Sequence, residues 1–260
     1  MEKVKKKKKT LYLLLFLIIF GGILVLLINY FSPYYKIESR VKETKKFTGI
    51  NNEKALGWLR VQGTNIDFPI VYYDDTDVSD PTNELGWSYA DDRKLTKKVT
   101  LFSHNVLNVS SNPLIGDENH KRFEQLMAFI YTDFVEENKY IQYTVNDKDY
   151  LYKIYAISFQ KEDDIDYENN NPSTSEMKSY INKAIKNSYF EFDVDVDKND
   201  KLITLVTCTR FFGQTTEYSF VVDARMVRDN EIIKNYDVTE KKSYNKIKKI
   251  MEGDAEDAEL

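Results

Sequence analysis

Two scarce residue types give this 260-residue chain its candidate chemistry. The sequence contains one cysteine, Cys208, and two histidines, His104 and His120. A thiolate attacks acyl carbons well, and its reactivity depends on a nearby base or cation. A lone cysteine cannot form an internal disulfide or a cysteine-rich metal site. These residues point to thiol chemistry at Cys208, and the alternative is a small buried apolar residue.

Cys208 and His104 each follow a strand-like run. The apolar stretch 202–207 ends at Cys208, and the stretch 98–103 ends at His104. A strand end holds a side chain firmly and leaves it open to a cleft. His120 lies in a polar stretch and is predicted to be a surface residue. His104 is therefore the predicted acid/base partner of Cys208.

The remaining pattern predicts a mainly β body with two or three helices. Further extended runs are expected at 57–61, 66–73, 140–145, 150–158 and 218–227, and a hairpin turn at 146–149 is expected to join the third and fourth of these. Helices are expected at 122–134 and 177–187, the second after an N-cap signal at 173–176. Short strands separated by turn residues favour a closed or half-closed barrel.

The first 31 residues predict a membrane anchor. Residues 1–9 carry six lysines and one glutamate, and residues 11–28 form an uncharged apolar run. A run of this length spans about 27 Å at ~1.5 Å per residue, close to the ~30 Å of bilayer hydrocarbon. We expect residues 1–9 in the cytoplasm, residues 10–31 across the membrane and the rest outside. A cleaved signal is the alternative, although no small-x-small site follows.

Charge and composition narrow the partners and cofactors. The net charge is −5, and because residues 1–9 contribute +5, the rest carries −10. An acidic body argues against nucleic acid. No phosphate-binding loop, dinucleotide motif or paired metal ligands occur, so no cofactor or metal is expected. The acidic stretch 162–168 is predicted to be a solvated loop, with calcium binding as the alternative.

Four local motifs resemble those of sortases. The cysteine motif ThrLeuValThrCys (204–208) matches the Thr-Leu-x-Thr-Cys signature, and SerHisAsn (103–105) resembles the histidine region. The stretches 122–141 and 64–71 are similar to the family's downstream segment and early strand pair. A long insertion at 159–200 that contains a helix is typical of the class B branch. The resemblance covers roughly residues 55–228.

The resemblance implies a membrane-anchored cysteine transpeptidase with an eight-stranded sortase β-barrel. The barrel carries an N-terminal helix and an inserted helix before the cysteine strand. The exported part is then expected to consist of a stalk or helix (32–54), a catalytic domain (55–230) and a charged tail (231–260). The implied partners are secreted proteins with a C-terminal sorting motif, and a peptidoglycan precursor or pilin amine as acceptor.

The same resemblance assigns roles to individual residues. Cys208 is expected to form an acyl-thioester, and His104 to protonate the leaving amine and later deprotonate the incoming one. Thr207 and Ser219 are expected to contact the substrate.

The family's third residue is an arginine on the strand after the cysteine, and the alignment puts Ser219 there. Arg210 is the favoured replacement, with Arg225 as the alternative. Net hydrolysis, or a weakly active barrel that serves as an anchored binding or assembly module, are the competing functions.

Overall fold

The computed structural model describes residues 2–50, 54–73, 80, 82, 84–91, 93–213 and 217–253, and it begins with an apolar helix. This helix, α1, spans Glu2–Phe31. Its section Leu11–Ile28 has a mean hydropathy of 3.1, and none of it is buried within the structure. Length and composition allow this section to cross a membrane, and a signal sequence has the same properties.

The chain forms two compact units. The first contains residues 1–36 with 232–234, and the second contains residues 37–231 with 235–260. A short helix, α2 (Val41–Ile50), lies near the start of the second unit and within the predicted stalk region. All described strands and all candidate catalytic residues belong to the second unit.

Eight of the described strands close into a barrel, which confirms the predicted fold class. They are β1 (Ala55–Val61), β2 (Asp67–Tyr72), β3 (Gly86–Ser88), β4 (Lys98–Phe102), β5 (Tyr140–Val145), β6 (Lys148–Lys161), β8 (Leu202–Cys208) and β9 (Tyr218–Met226). Their order around the barrel is β1-β2-β3-β4-β8-β9-β6-β5. Two further strands, β7 (Phe190–Phe192) and β10 (Val238–Glu240), form a separate antiparallel pair.

Two local predictions hold closely. The β5–β6 hairpin turns at Asn146 and Asp147, which both have positive φ, as a tight two-residue turn requires. A helix spans Thr174–Asn187. It is called α4, because the shorter helix α3 (Thr132–Glu137) precedes it in the chain. Ser173 and Glu176 form a capping box at its start. Its buried face packs on β6 and β8 and covers the barrel there.

The predicted helix at 122–134 is two shorter elements. Residues Arg122–Ile130 form a 3-10 helix, and α3 spans Thr132–Glu137. Tyr131 between them is extended, with φ −89° and ψ 128°. Residues 123–130 are all buried, so packing on several sides replaces the single apolar face that the periodicity indicated.

The predicted charged tail, residues 231–260, contains a short helix, which the i, i+3 spacing of Ile247 and Ile250 had left open. After β10, helix α5 (Tyr244–Glu252) buries Tyr244, Ile247 and Ile250. The Tyr244 hydroxyl donates a 2.6 Å hydrogen bond to the carbonyl oxygen of Ile130. The few apolar residues of this segment fall on one face, which a count of its charges does not reveal. Residues 254–260 lie outside the described part of the chain.

A buried ion-pair network lies where β8 begins. Arg225 pairs with Leu202 in the β8–β9 ladder, and its guanidinium binds Glu231 with two nitrogens. Lys153 Nζ donates to the same carboxylate at 2.7 Å. Burial alone opposes ionisation of Glu231, but the bonds from Arg225 and Lys153 outweigh it and lower its pKa to about 2.

We predict that Glu231→Gln destabilises the protein at neutral pH by about 2 kcal/mol, because two buried cations lose their partner. This value is lower than the pKa difference alone implies, since the carboxylate keeps some contact with solvent. The folded-state pKa is depressed, so the stabilisation is present above pH 4.5 and is lost as pH falls towards 2. Urea unfolding at several pH values measures both effects. A Glu231→Gln variant as stable as the wild type at pH 7 contradicts this interpretation.

Candidate functional site

The parallel pairing of β4 with β8 brings the two candidate catalytic residues together. The ladder runs from Lys98 opposite Leu202 to Phe102 opposite Val206. Two residues further along each chain stand His104 and Cys208. In parallel strands the carboxyl ends lie at the same edge of the sheet, so both side chains belong to one barrel edge.

Two hydrogen bonds continue this register beyond the ladder. The Thr207 hydroxyl donates to the carbonyl oxygen of Ser103 at 2.9 Å. The Asn105 amide nitrogen donates to the carbonyl oxygen of Cys208 at 3.1 Å. The residues before and after His104 are therefore both tied to the cysteine segment.

Cys208 is the exposed end of a buried strand. Residues 202–207 of β8 are all buried, whereas Cys208 is exposed and its thiol is free. Because side chains alternate along a strand, Cys208 shares a face with Val206. Val206 belongs to a buried apolar cluster with Val71, Trp87, Phe102 and Val221. The thiol thus opens at the end of an apolar surface.

Aromatic rings extend this surface into a wall. Tyr167 stacks on Phe102 at 5.2 Å between ring centroids, and Tyr89 meets both rings edge-on. The Trp87 ring lies 4.9 Å from the imidazole of His104. Partial burial, together with the nearby charge of Glu162, raises the pKa of Tyr167 to about 12. This wall can bind an extended, uncharged chain next to the thiol.

Sequence reasoning missed this wall. Tyr167 lies in the acidic stretch 162–168, which was predicted to be a solvated loop. Aromatic residues alternating with polar ones at Trp87 and Tyr89 were the available signal, but they do not show which loop packs against them. Among the described residues no group of three or more acidic, histidine or cysteine side chains is placed to hold a metal.

The thiol is the favoured form of Cys208 when the site is empty. Partial burial, and second the negative charge of Glu162, raise the pKa of Cys208 above its ordinary value. Both effects disfavour the thiolate. A neighbouring base is therefore needed to remove the proton, and His104 is the group that the strand register places there.

The structure separates the two candidate arginines. Arg210 is exposed in the loop after Cys208, where its backbone nitrogen donates to the carbonyl oxygen of Val109 at 3.0 Å. Arg225 faces the start of β8 and is bound to Glu231 and to the carbonyl oxygen of Asp195. Arg225 is thus held at the opposite end of β8 from the thiol.

Ser219 is the residue that pairs with Cys208 across the β8–β9 ladder. Directly opposite residues in an antiparallel pair have Cβ atoms about 5 Å apart on the same face. Ser219 is buried and offers a hydroxyl where a longer cationic side chain was expected from the family pattern. Residues 214–216 of the intervening loop lie outside the described part.

The prediction that His120 is a surface residue is wrong. His120 is buried, with 5% of its surface exposed. Its backbone nitrogen donates to the carbonyl oxygen of Asp117 at 3.0 Å, which closes a turn that points the ring inward. Asn119 and Lys121 on either side are exposed. The polar neighbours in the sequence therefore indicated only the outer side of the turn.

Comparisons with known proteins show which family and fold the chain resembles. Residues 59–227 match the family model described as the sortase domain. The chain is 25% identical over 167 residues to sortase B of Listeria monocytogenes, covering 60% of this chain and 63% of that protein. It is 22% identical over 187 residues to sortase B of Staphylococcus aureus, covering 68% and 72%. The match therefore spans less than two thirds of the Listeria protein.

The fold is also similar to solved structures. The X-ray structure of Clostridium perfringens sortase B superposes with a TM-score of 0.57 at 22% identity. That superposition covers 71% of this chain and 99% of the other. At this identity the likeness concerns the fold.

We predict that Glu162→Gln speeds alkylation of Cys208 by iodoacetamide about twofold at pH 7, because removing a nearby negative charge lowers the thiol pKa. Glu168→Gln is the matched control, since it removes an exposed carboxylate from the same loop. The Glu168 carboxylate is not among the groups that raise the pKa of Cys208. The difference should shrink in 1 M salt. Equal rates for Glu162→Gln and wild type at low salt contradict the assigned cause.

Proposed function

Because the chain belongs to the sortase family as a class B member, we propose that it cleaves a sorting motif in secreted proteins and transfers the acyl part to an amine. Members of this family are cysteine transpeptidases. The observation that supports the proposal is the parallel β4–β8 register, which brings the segments that carry His104 and Cys208 to the same barrel edge.

The acylation step uses both residues. The Cys208 sulfur attacks the carbonyl carbon of the scissile peptide bond while the thiol proton passes to His104. The tetrahedral intermediate then expels the amine, which takes a proton from His104. The products are an acyl-thioester on Cys208 and the released carboxyl-terminal peptide.

The second step regenerates the enzyme. An acceptor amine attacks the thioester carbon and loses its proton to His104, and the Cys208 sulfur leaves and recovers a proton. Water in place of the amine gives hydrolysis, which competes with transfer.

Stabilisation of the oxyanion is assigned to the loop after Cys208. Arg210 carries the positive charge in that loop, and its backbone is fixed by Val109. Ser219 lies opposite Cys208 and is buried, so its contact with the substrate stays a prediction. Thr207, which was expected to contact the substrate, is buried, and its hydroxyl holds the strand that carries His104.

The anchor fixes where this reaction takes place. Six lysines precede the apolar section Leu11–Ile28, so the N-terminus is assigned to the cytoplasm and the barrel to the outer face of the membrane. The acyl donors are then secreted proteins with a carboxyl-terminal sorting motif; Asn-Pro-x-Thr-x is often associated with class B members, but this sequence does not fix the motif. The acceptors are amines of a peptidoglycan precursor or a pilin.

A second candidate function is an anchored binding or assembly module with little catalysis. Two observations favour it, namely Ser219 at the position of the family's arginine and the raised pKa of Cys208. Both leave the aromatic wall beside the thiol intact while weakening the chemistry.

We predict that the full-length chain in detergent forms a covalent acyl adduct with a peptide containing Asn-Pro-x-Thr-x, seen by intact mass. Cys208→Ala should form none, because the sulfur is the attacking atom. His104→Ala should slow adduct formation by 100-fold or more, roughly the usual contribution of a general acid/base. A wild-type protein that binds the peptide without an adduct supports the binding module instead.

Arg210→Ala should slow adduct formation about 100-fold, as loss of an oxyanion donor does. Arg93→Ala is the matched control, since Arg93 is also exposed but precedes β4 and pairs with Asp91. Arg225→Lys keeps the charge next to Glu231 and is expected to leave the rate within about threefold. If Arg225→Lys loses the rate and Arg210→Ala keeps it, the assignment of the oxyanion arginine is wrong.

A further inference from the structure

Asn105 is the residue that joins the histidine segment to the cysteine segment by its side chain. We infer that Asn105 is a positioning residue, which fixes the separation of His104 and Cys208 without touching the substrate. This inference rests on the proposed function, because it concerns the geometry of that catalytic pair.

Every hydrogen-bonding direction used by the Asn105 amide is directed at backbone. Its nitrogen donates to the carbonyl oxygen of Cys208 at 3.1 Å and to that of Asn108 at 3.0 Å. Its oxygen accepts from the backbone nitrogen of Asn108 at 3.0 Å. Asn105 is buried, with 7% of its surface exposed, so water competes little for these bonds.

Asn108 links Asn105 to the 3-10 helix and to the loop at Leu114. The Asn108 side chain accepts from the backbone nitrogen of Leu114 at 2.8 Å and donates to the carbonyl oxygen of Glu124 at 2.8 Å. The loop that follows His104 is thereby fixed to the 3-10 helix. The Asn105 amide cannot move with Cys208 unless this framework moves as well.

The Glu124 side chain binds the backbone of the same loop. Its fully buried carboxylate accepts from the backbone nitrogens of Val106 at 3.1 Å and Leu107 at 3.0 Å. The backbone nitrogen of Phe123 also donates to the carbonyl oxygen of His104 at 3.1 Å. The histidine backbone is therefore also held by the 3-10 helix.

The cysteine side of the bridge is held in the same way. The backbone nitrogen of Arg210 donates to the carbonyl oxygen of Val109, and the Thr207 hydroxyl donates to that of Ser103. The bond from Asn105 to the Cys208 carbonyl lies between these two contacts. A short, rigid amide thus sets the spacing of the two backbones from which the thiol and the imidazole project.

Replacement of Asn105 should therefore change catalysis more than stability. Asn105→Ala removes the bridge, and Asn105→Asp keeps the shape but places a carboxylate against two carbonyl oxygens. A displacement of about 1 Å in a reacting pair costs about 100-fold in rate. For both variants we expect kcat for the sorting peptide to fall about 100-fold with KM within about threefold of wild type.

The matched control is Asn138→Ala. The Asn138 amide also donates to a backbone carbonyl, that of Phe134 at 2.9 Å, but it lies before β5 and away from the thiol. Asn138→Ala should keep the wild-type kcat. Thermal unfolding of each variant shows whether a lost rate comes from unfolded protein.

A readout that needs no peptide comes from the pH dependence of Cys208 alkylation by iodoacetamide. The profile of Asn105→Ala should resemble that of His104→Ala. One variant displaces the imidazole from the thiol, and the other removes the imidazole. If the Asn105→Ala profile matches wild type, or if its rate loss follows the unfolded fraction, the positioning role is overturned.

The same measurement separates failure of this inference from failure of the proposed function. A His104→Ala profile identical to wild type shows that the two residues do not interact, which contradicts the proposed function and the inference together. A His104-dependent profile that Asn105→Ala leaves intact contradicts the inference alone.

Discussion

The parallel pairing of β4 with β8 is the constraint on which the candidate site depends. Parallel strands cannot be joined by a tight turn, so a long connection must separate them in the chain. That connection holds the 3-10 helix, the β5–β6 hairpin and α4, and it returns the chain beside β4. The pairing thus brings together two residues 104 positions apart at one open barrel edge. Antiparallel pairing of the same strands would put them at opposite edges.

Features that depend on neighbouring residues were predictable from the sequence. The apolar run before Cys208, the capping box at Ser173 and the hairpin turn at Asn146 each carry their signal within a few residues. The family motifs added the barrel, because their spacing encodes a known arrangement, and they predicted the catalytic pair. Element identity and the barrel were accessible for these reasons.

Features that depend on distant contacts were not predictable. Tyr167 joins an aromatic wall only because its loop folds over Phe102. His120 is buried because a turn points its ring inward, against the polar character of its neighbours. The strand numbering alone left Arg225 as an alternative to Arg210, and its ion pair with Glu231 became visible only in three dimensions. In each case a tertiary contact overrides what the local composition indicates.

The electrostatics of the site give it a particular balance. Partial burial and the charge of Glu162 favour the neutral form of Cys208, while Arg225, the arginine of β9, is bound to Glu231 far from the thiol. Formation of the thiolate therefore depends on the imidazole, which takes the proton, and on the positive charge in the loop after Cys208. Removal of the imidazole or of the loop charge should therefore slow the reaction strongly, because formation of the thiolate depends on both.

The contact between Trp87 and His104 has an optical consequence. The chain contains two tryptophans, and the other, Trp58, donates its indole N–H to Asp67 in a different part of the barrel. An indole ring within about 6 Å of an imidazole interacts directly with the charge that the imidazole gains on protonation. The fluorescence of Trp87 should therefore follow the ionisation of His104. In a chain with Trp58 replaced by phenylalanine, the emission of Trp87 then reports the charge on His104 without an added probe.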